Sequence, residues 1–118
     1  MRTSDPGEFL PGTIVVVPFP YSDRLAEKRR PALVVSGEAV AKAGFVWIAM
    51  ITSARNAAMP GDLAIGDLAE AGLLRASVVR PTKLACIEPF RILRRTGTLP
   101  TKAAEDAYRT IRAMIGTT

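Results

Sequence analysis

Histidine is absent from this sequence of 118 residues. Imidazole is the side chain that most often gains and loses a proton near neutral pH, so serine–histidine and cysteine–histidine hydrolysis are excluded. Metal sites built on imidazole are excluded as well. Any catalytic chemistry must come from arginine, lysine, threonine, serine, tyrosine or carboxylate groups.

Cysteine is nearly absent too, because Cys86 is the only one. One thiol cannot form an intrachain disulfide or a metal site of several thiolates, and a reducing compartment is the simpler fit. The neighbouring residues Leu84, Ala85 and Ile87 are apolar. This setting predicts a buried, structural thiol rather than a nucleophile.

Long hydrophobic runs are also missing. The longest one, residues 45–51, is far shorter than the roughly 20 residues that a membrane-spanning helix needs. Residues 1–12 contain charged side chains and prolines, which do not suit the apolar core of a secretion signal. We therefore expect a soluble, cytoplasmic protein.

Positive charge, in contrast, is in excess. The chain has 16 lysine and arginine residues against 11 acidic ones, a formal net charge of +5. Ten of these cations occur in three groups: Arg24, Lys28, Arg29 and Arg30; Arg75, Arg80 and Lys83; and Arg91, Arg94 and Arg95. Such grouping favours a polyanionic partner such as nucleic acid, because each cation that reaches a phosphate releases condensed counterions. A merely solvated basic face is the alternative interpretation.

The hydropathy pattern predicts one mostly β domain over residues 12–118, preceded by an extension, residues 1–11, whose order we do not predict. Apolar and β-branched runs bounded by proline and glycine predict strands at residues 13–17, 31–36, 45–53, 62–65, 77–80, 83–87 and 90–93, and helical turns at 38–43 and 67–71. From Thr101 to about Gly116 the apolar residues recur with helical spacing. Short strands followed by one amphipathic helix predict a compact, antiparallel barrel with a closing helix.

Four stretches of the chain form a pattern in their order and spacing. They are GTIVV at residues 12–16, KRRPALVVS at 28–36, ITS at 51–53 and GLLRASVVR at 72–80. In these stretches, and in the C-terminal helix, the chain resembles the PemK/MazF-like toxins of bacterial toxin–antitoxin systems. The resemblance covers nearly the whole chain from Gly12 onward.

The resemblance implies a fold and an activity. The fold is an SH3-like barrel of the PemK/MazF/CcdB type with a C-terminal amphipathic helix, assembled as a homodimer. The activity is that of an endoribonuclease that cleaves single-stranded RNA without a metal or organic cofactor and is neutralised by a cognate antitoxin. In such cleavage the 2′-hydroxyl of the RNA attacks the neighbouring phosphate, so the protein must move protons and stabilise charge on phosphorus.

Three residues match catalytic positions of that family. Arg30 precedes Pro31 at the threshold of a predicted strand, and its guanidinium suits phosphate oxygens. Thr52 matches the threonine at the end of the central strand, where its hydroxyl would orient the phosphate. Arg80 matches the arginine of a Val-Val-Arg pattern that some PemK-like members use in catalysis.

Five further residues are predicted to bind RNA. Excess positive charge near a backbone-binding groove adds affinity without reading sequence, which is the role expected of the cations. Tyrosine can stack on an exposed base. The predicted RNA-binding residues are Lys28, Arg29, Ser53, Lys83 and Tyr21.

The chain departs from the family pattern at Thr82, where members that use the Val-Val-Arg arginine carry an aspartate. Asp23 and Glu27 in the first loop are candidate substitutes for this base, although acids in loops are more often simply solvated. The departure keeps a second hypothesis open, a non-catalytic SH3-like barrel toxin or degenerate homologue that acts only by binding protein. Three other acids lack the spacing of metal ligands and are expected to be solvated: Asp62, Asp67 and Glu70.

Overall fold

A computed structural model describes residues 9–19 and 28–116 of the chain. Within these ranges the strands are β1 (Thr13–Phe19), β2 (Lys28–Val34), β3 (Val46–Ser53), β4 (Leu63–Ala64), β5 (Ser77–Ile87) and β6 (Arg94–Thr98). The helices are α1 (Glu38–Lys42), α2 (Leu68–Ala71) and α3 (Thr101–Met114), and a 3₁₀ turn covers Pro89–Arg91. None of the helices in these ranges combines the length and the apolar character needed to span a membrane.

The six strands form one antiparallel sheet in the order β4-β5-β3-β2-β1-β6. The sheet curls into a half-barrel, which confirms the predicted fold class of a mostly β barrel with small helices and a closing C-terminal helix. β3 lies between β2 and β5 and is almost entirely buried, as its continuous apolar sequence predicts. Trp47 is the exception, since its side chain is 49% exposed.

Alternation along the strands supplies two apolar clusters. Because successive side chains of a strand point to opposite faces, Ile14 and Val15 of β1 enter different clusters. The first cluster contains Ile14, Leu33, Ala49, Ile51 and Val79, together with Ala104 and Ala107 of α3. The second contains Val15, Val17, Ala32, Val34, Val46, Ile48 and Met50.

Helix α3 confirms the prediction made from the 3.6-residue period. Ala104 and Ala107 are buried on the first cluster, and Tyr108 is half-buried beside them. The stripe loses contact with the core toward its end, where Met114 and Ile115 are 42% and 63% exposed. The helix therefore closes the barrel through its first three turns.

Strand β5 is longer than predicted, because residues 77–80 and 83–87 belong to one strand. Arg80 pairs with Met50 and Leu84 pairs with Ala49, so residues 81–83 form a bulge between two consecutive partners on β3. Pro81 is buried in this bulge. A proline is tolerated there because the hydrogen-bonded ladder is already interrupted and its missing N–H breaks no pair.

The strand predicted at residues 90–93 is wrong. Pro89 begins a 3₁₀ turn instead, since its fixed φ and missing N–H suit the first position of a helical turn. The strand follows at Arg94–Thr98 as β6, which pairs with β1 at the edge of the sheet. Its sequence, RRTGT, has no large apolar residue, so hydrophobic periodicity does not reveal it.

The prediction of a buried Cys86 is also wrong, because this thiol is exposed. Cys86 lies opposite Trp47 in the β3–β5 ladder. Its neighbours Ala85 and Ile87 pack against the second apolar cluster. Strand alternation therefore turns the side chain between them outward, and an apolar sequence context does not bury it.

Helix α2 packs its backbone directly on β6 through two glycines. Asp67 begins the helix by accepting a hydrogen bond from the N–H of Glu70 at 3.0 Å. Gly72 ends it in the left-handed conformation, with φ +76°. A Cβ on Gly72 would meet backbone atoms of Thr96, and one on Gly97 would meet backbone atoms of residues 70 and 71. This close approach fixes the position of the loop after α2.

Candidate functional site

A groove opens where β2 and β3 stop pairing. The last pair of their ladder is Ala32–Met50, although β2 begins four residues earlier and β3 continues for three more. Pro31, at the break, has no N–H to offer a ladder. The separated strand ends become walls of a cavity of about 560 Å³. Its remaining lining comes from Gly72, Leu73, Leu74, Arg75, Ser77, Leu93, Arg94, Thr96 and Val16.

Arg30 and Thr52 both line this groove, one on each separated strand. If the β2–β3 register is extended two residues beyond Ala32–Met50, Arg30 stands level with Thr52 on the same face of the sheet. Thr52 is 7% exposed, and Arg30 is half-buried. The fold thus brings a sheltered hydroxyl and a partly accessible guanidinium to one cavity.

The groove is lined by four arginines from three separate segments. Arg29 and Arg30 lie on β2, Arg75 follows α2, and Arg94 lies on β6. Across the described parts of the chain, no aspartate or glutamate lines the groove and none of these arginines forms an ion pair. Like charges gathered in a concave surface produce a positive potential that attracts anions.

The hydroxyl of Thr52 has a fixed partner inside the protein. Nδ2 of Asn56 donates a hydrogen bond to Thr52 Oγ1 at 2.6 Å. The chain is turned back for this contact by two further hydrogen bonds. The backbone N–H of Asn56 donates to the carbonyl of Ser53 at 3.1 Å, and the N–H of Arg55 donates to Ser53 Oγ, also at 3.1 Å. A hydroxyl that accepts at one lone pair keeps its own proton for another acceptor.

Arg80 lies outside the groove, in a forked ion pair with Asp62. Its Nε and Nη2 donate to the two carboxylate oxygens of Asp62 at 3.1 and 2.9 Å. Nη2 also donates to the carbonyl of Ala57 at 2.8 Å. The side chains are only 8% and 12% exposed. The hydrogen bond from Arg80 holds the pKa of Asp62 below its usual range, and the same bond raises the pKa of Arg80.

The structure therefore brings some of the predicted site residues together and separates others from them. Arg30, Thr52, Arg29 and Ser53 meet in the groove. Arg80 is turned into the protein, so its placement does not support direct contact with a substrate. Lys28 and Lys83 do not line the groove and are exposed on β2 and β5, whereas Tyr21, Asp23 and Glu27 lie outside the described residues.

Sequence reasoning missed three residues of the site. Arg75 and Arg94 belong to two of the basic groups, but nothing in a linear pattern shows that one member of each group will meet Arg29 and Arg30. Asn56 carries no motif at all. Its signal is short range, because it follows Thr52 by four residues in a loop rich in small residues.

Three acids of the described chain, Asp62, Asp67 and Glu70, each have a hydrogen-bonded partner within the protein. Within the described ranges no group of three or more His, Cys, Asp or Glu residues could hold a metal ion. The expectation that Asp62 is solvated is wrong, since Arg80 binds and covers it. Asp67 and Glu70 are exposed as expected, Asp67 as the cap of α2 and Glu70 as acceptor of a 3.2 Å hydrogen bond from Thr98.

Comparison with known families agrees with this architecture. Residues 10–115 match the sequence profile of a family described as PemK-like, MazF-like toxin of type II toxin-antitoxin system. The chain belongs to the PemK/MazF-like toxin family. This membership confirms the resemblance drawn from the four sequence stretches. A comparison with curated protein sequences gave no match.

Solved structures show the same fold as this PemK/MazF-like chain. The Mycobacterium tuberculosis toxin MazF-mt6 is 22% identical, with a TM-score of 0.67 over 86% of this chain and 93% of that one. MazF from Deinococcus radiodurans is 21% identical, with a TM-score of 0.72 over 92% and 96%. An endoribonuclease in complex with its cognate antitoxin, from a mycobacterial species, is 18% identical, with a TM-score of 0.64 over 92% and 98%. At these identities the likeness establishes the fold alone.

Proposed function

We propose that this PemK/MazF-like toxin is a metal-independent endoribonuclease of the cytoplasm that cleaves single-stranded RNA, with Arg30 and Thr52 acting on the scissile phosphate. The supporting observation is that a guanidinium and a sheltered hydroxyl line one groove together with three further arginines. RNA is the natural occupant of such a surface, because its backbone offers a line of phosphates to separated cations.

The nucleophile belongs to the RNA. The 2′-oxygen attacks the adjacent phosphorus, the bond to the 5′-oxygen breaks, and the products are a 2′,3′-cyclic phosphate and a 5′-hydroxyl. Negative charge grows on the two non-bridging oxygens during attack. Arg30 donates its forked N–H groups to these oxygens, and Thr52 donates its single hydroxyl proton to orient them. The proton of the 2′-hydroxyl must pass to a base, for which Asp23 and Glu27 are the candidates, and the departing 5′-oxygen takes up a proton from water.

The other cations supply affinity. Arg29, Arg75 and Arg94 line the groove around the proposed reaction centre and suit phosphates on either side of the scissile one. Lys28 and Lys83, exposed on β2 and β5, extend the positive surface beyond the groove. RNA binding should therefore weaken steeply as salt concentration rises.

Two protein partners follow from the family and from the surface. The mycobacterial endoribonuclease named above was solved with its cognate antitoxin, and an acidic antitoxin segment would fill the positive groove of this chain and exclude RNA. A second copy of the chain suits an apolar groove of about 540 Å³ lined by Trp47, Leu84, Cys86 and Ile111. Trp47 and Leu84 are 49% and 47% exposed, so pairing would remove large apolar side chains from water.

The test is cleavage of a single-stranded RNA by purified protein in the presence of a chelator. We expect fragments that end in a cyclic phosphate and begin with a 5′-hydroxyl, and no cleavage of the same strand with 2′-O-methyl groups. Arg30→Ala and Thr52→Val should each lower the rate by about 100-fold or more. Arg109→Ala is the matched control, because Arg109 lies on α3 and pairs with Asp106. Unchanged cleavage in both site variants would reject the proposed site.

A binding protein without catalysis is the second candidate. It is favoured by Thr82 in place of an acid and by the absence of a carboxylate from the described lining of the groove. In this case expression would arrest growth while cellular RNA stayed intact. Mapping RNA 5′ ends after induction separates the two functions, because only the nuclease creates new 5′-hydroxyl ends.

A further inference from the structure

The loop after β3, residues 54–62, connects the groove to the buried ion pair. At its start Asn56 donates to the hydroxyl of Thr52 at 2.6 Å. At its end Asp62 binds Arg80. We propose that Asn56 is a positioning residue for Thr52, and that the Arg80–Asp62 pair fixes the loop that carries Asn56. The inference rests on the function proposed above and assigns roles to three residues outside the groove lining.

Asn56 determines the direction of the Thr52 proton. A threonine hydroxyl has one proton and two lone pairs, so it can point its proton at a phosphate or at a neighbour. The carboxamide N–H of Asn56 occupies a lone pair and offers no acceptor at that contact. The proton is thereby left for a phosphate in the groove. Without Asn56 the hydroxyl can rotate away, and its bond to the substrate is lost for part of the time.

Hydrogen bonds along the loop hold the segment that carries Asn56 in place. The backbone N–H of Asn56 donates to Ser53, which closes the turn at the start of the loop. The carbonyl of the next residue, Ala57, accepts from Arg80 Nη2 at 2.8 Å. The carboxylate of Asp62 accepts hydrogen bonds both from Arg80 and from the backbone N–H of Met59, the latter at 3.0 Å. The ion pair thus ties the middle and the end of the loop to β5.

This arrangement explains how Arg80 can affect catalysis without touching RNA. Its Nε and Nη2 are committed to Asp62 and Ala57, and the side chain is almost fully covered. A forked arginine–carboxylate pair of this kind fixes both groups in one orientation. Thr52 stands next to the loop that the pair anchors, so loss of either partner should disturb the same hydroxyl.

Nuclear magnetic resonance can observe the contact directly. Asn56 is the only asparagine and the chain has no glutamine, so the protein has a single side-chain carboxamide. We expect its ¹H–¹⁵N pair to lie away from the position of free asparagine and to return toward it in Thr52→Val. Thr98→Val is the matched control, since its hydroxyl bonds Glu70 away from the loop. An Asn56 side-chain amide whose chemical shifts are the same in Thr52→Val as in the wild type would overturn the proposal.

A double-mutant cycle measures the consequence for catalysis. Asn56→Ala should lower kcat by about 10- to 100-fold, the range for one lost hydrogen bond to a charged group, with little change in KM. In the Thr52→Val background the same substitution should lower kcat less than twofold, because its effect passes through the missing hydroxyl. Equal losses in both backgrounds would show that Asn56 does not act through Thr52.

Arg80→Met and Asp62→Leu test the ion pair. A positioning role predicts similar losses of kcat in both variants, a shifted Asn56 signal in both, and an unchanged salt dependence of RNA binding. The double variant Arg80→Met/Asp62→Leu leaves no unpaired buried charge, so it keeps the test valid where a single variant fails to fold. If Arg80→Met lowers kcat and Asp62→Leu does not, Arg80 acts on the phosphate itself and the proposal is wrong.

The two levels of inference fail in different ways. A wild-type protein that neither binds nor cleaves single-stranded RNA would overturn the proposed function and this inference with it. Cleavage that is lost in Thr52→Val but intact in Asn56→Ala would overturn this inference alone. The expected result is loss in both variants and no further loss when they are combined.

Discussion

Gly97 is the glycine at which an added methyl group should clash most severely although the backbone is not in the left-handed conformation. A Cβ there would meet the carbonyl oxygen of Glu70 and would lie 2.6 Å from the carbonyl carbon of Ala71. Both are backbone atoms of α2, so no side chain can rotate out of the way. Gly97→Ala should therefore destabilise the protein by about 1–3 kcal/mol, the usual range for forced overpacking.

Three other glycines separate the two reasons why alanine can be unfavourable. Gly44 has φ +96° and nothing within 4 Å of its Cβ position, so Gly44→Ala tests backbone conformation alone, at about 1–2 kcal/mol. Gly72 combines φ +76° with contacts to Thr96 at 2.8 and 2.9 Å, and should be the worst. Gly66 has neither problem, so Gly66→Ala should be neutral or slightly stabilising, by up to about 1 kcal/mol.

Urea and thermal unfolding of the four variants measure these effects. For a domain of this size 1 kcal/mol corresponds to roughly 4 °C in Tm, so Gly97→Ala should lower Tm by about 4–12 °C. Gly66→Ala should be the most stable of the four variants and Gly72→Ala the least stable. Gly44→Ala should lie between these two, and Gly97→Ala should be more stable than Gly72→Ala. A Gly97→Ala protein as stable as Gly66→Ala would refute the close packing of α2 on β6.

Further predictions concern the core, the ion pair and the groove. Ile51→Ala should lower the free energy of unfolding by about 2–5 kcal/mol, because this side chain is 1% exposed. Leu74 is 98% exposed, so Leu74→Ala should change the free energy of unfolding little. Equal losses of stability in the two variants, measured by urea denaturation, would contradict the burial of Ile51. Because the pKa of Asp62 is lowered in the folded state, its stabilising effect is complete above the ordinary value of 3.8 and is lost as the pH falls below it. Unfolding measured from pH 6 to pH 2 should therefore show a smaller acid loss in Asp62→Asn than in wild type, and parallel curves would contradict this. Arg94→Gln should reduce the slope of log affinity for single-stranded RNA against log salt concentration by about 0.7. Arg109→Gln should leave this slope unchanged. Filter binding at several salt concentrations measures both slopes, and equal slopes would contradict a phosphate contact by Arg94.

Much of the fold could be predicted where the pattern is local. β1 and β3 are continuous β-branched or apolar runs, and α3 shows its period in six apolar positions. The boundaries of β2 could not be predicted, because the polar residues Lys28, Arg29 and Arg30 pair with the end of β1 and extend the strand backward. β6 could not be predicted for a related reason. It is an edge strand held by backbone pairing with β1, and its side chains carry no hydrophobic pattern that indicates this pairing.

The candidate site was predictable only where its residues lie in local sequence patterns. Arg30 and Thr52 were predictable because each lies in a recognisable motif, Arg30 directly before Pro31 and Thr52 next to the last residue of β3. The burial of Arg80 was not foreseeable, because its partner Asp62 is 18 residues away in a loop and the contact exists only after β4 and β5 pair. Asn56 was missed because a short turn, and no motif, brings its amide to Thr52.

The convergence of Arg29, Arg30, Arg75 and Arg94 also bears on the thermodynamics of the free protein. Four like charges from three segments repel one another when the chain folds, so the empty groove opposes the compact state. An anion that occupies it removes this opposition in addition to the ordinary gain from binding only the native form. Nucleic acid, an acidic polypeptide or even dissolved sulfate is thus thermodynamically coupled to folding, and the molecule is least resistant to heat when it has nothing bound.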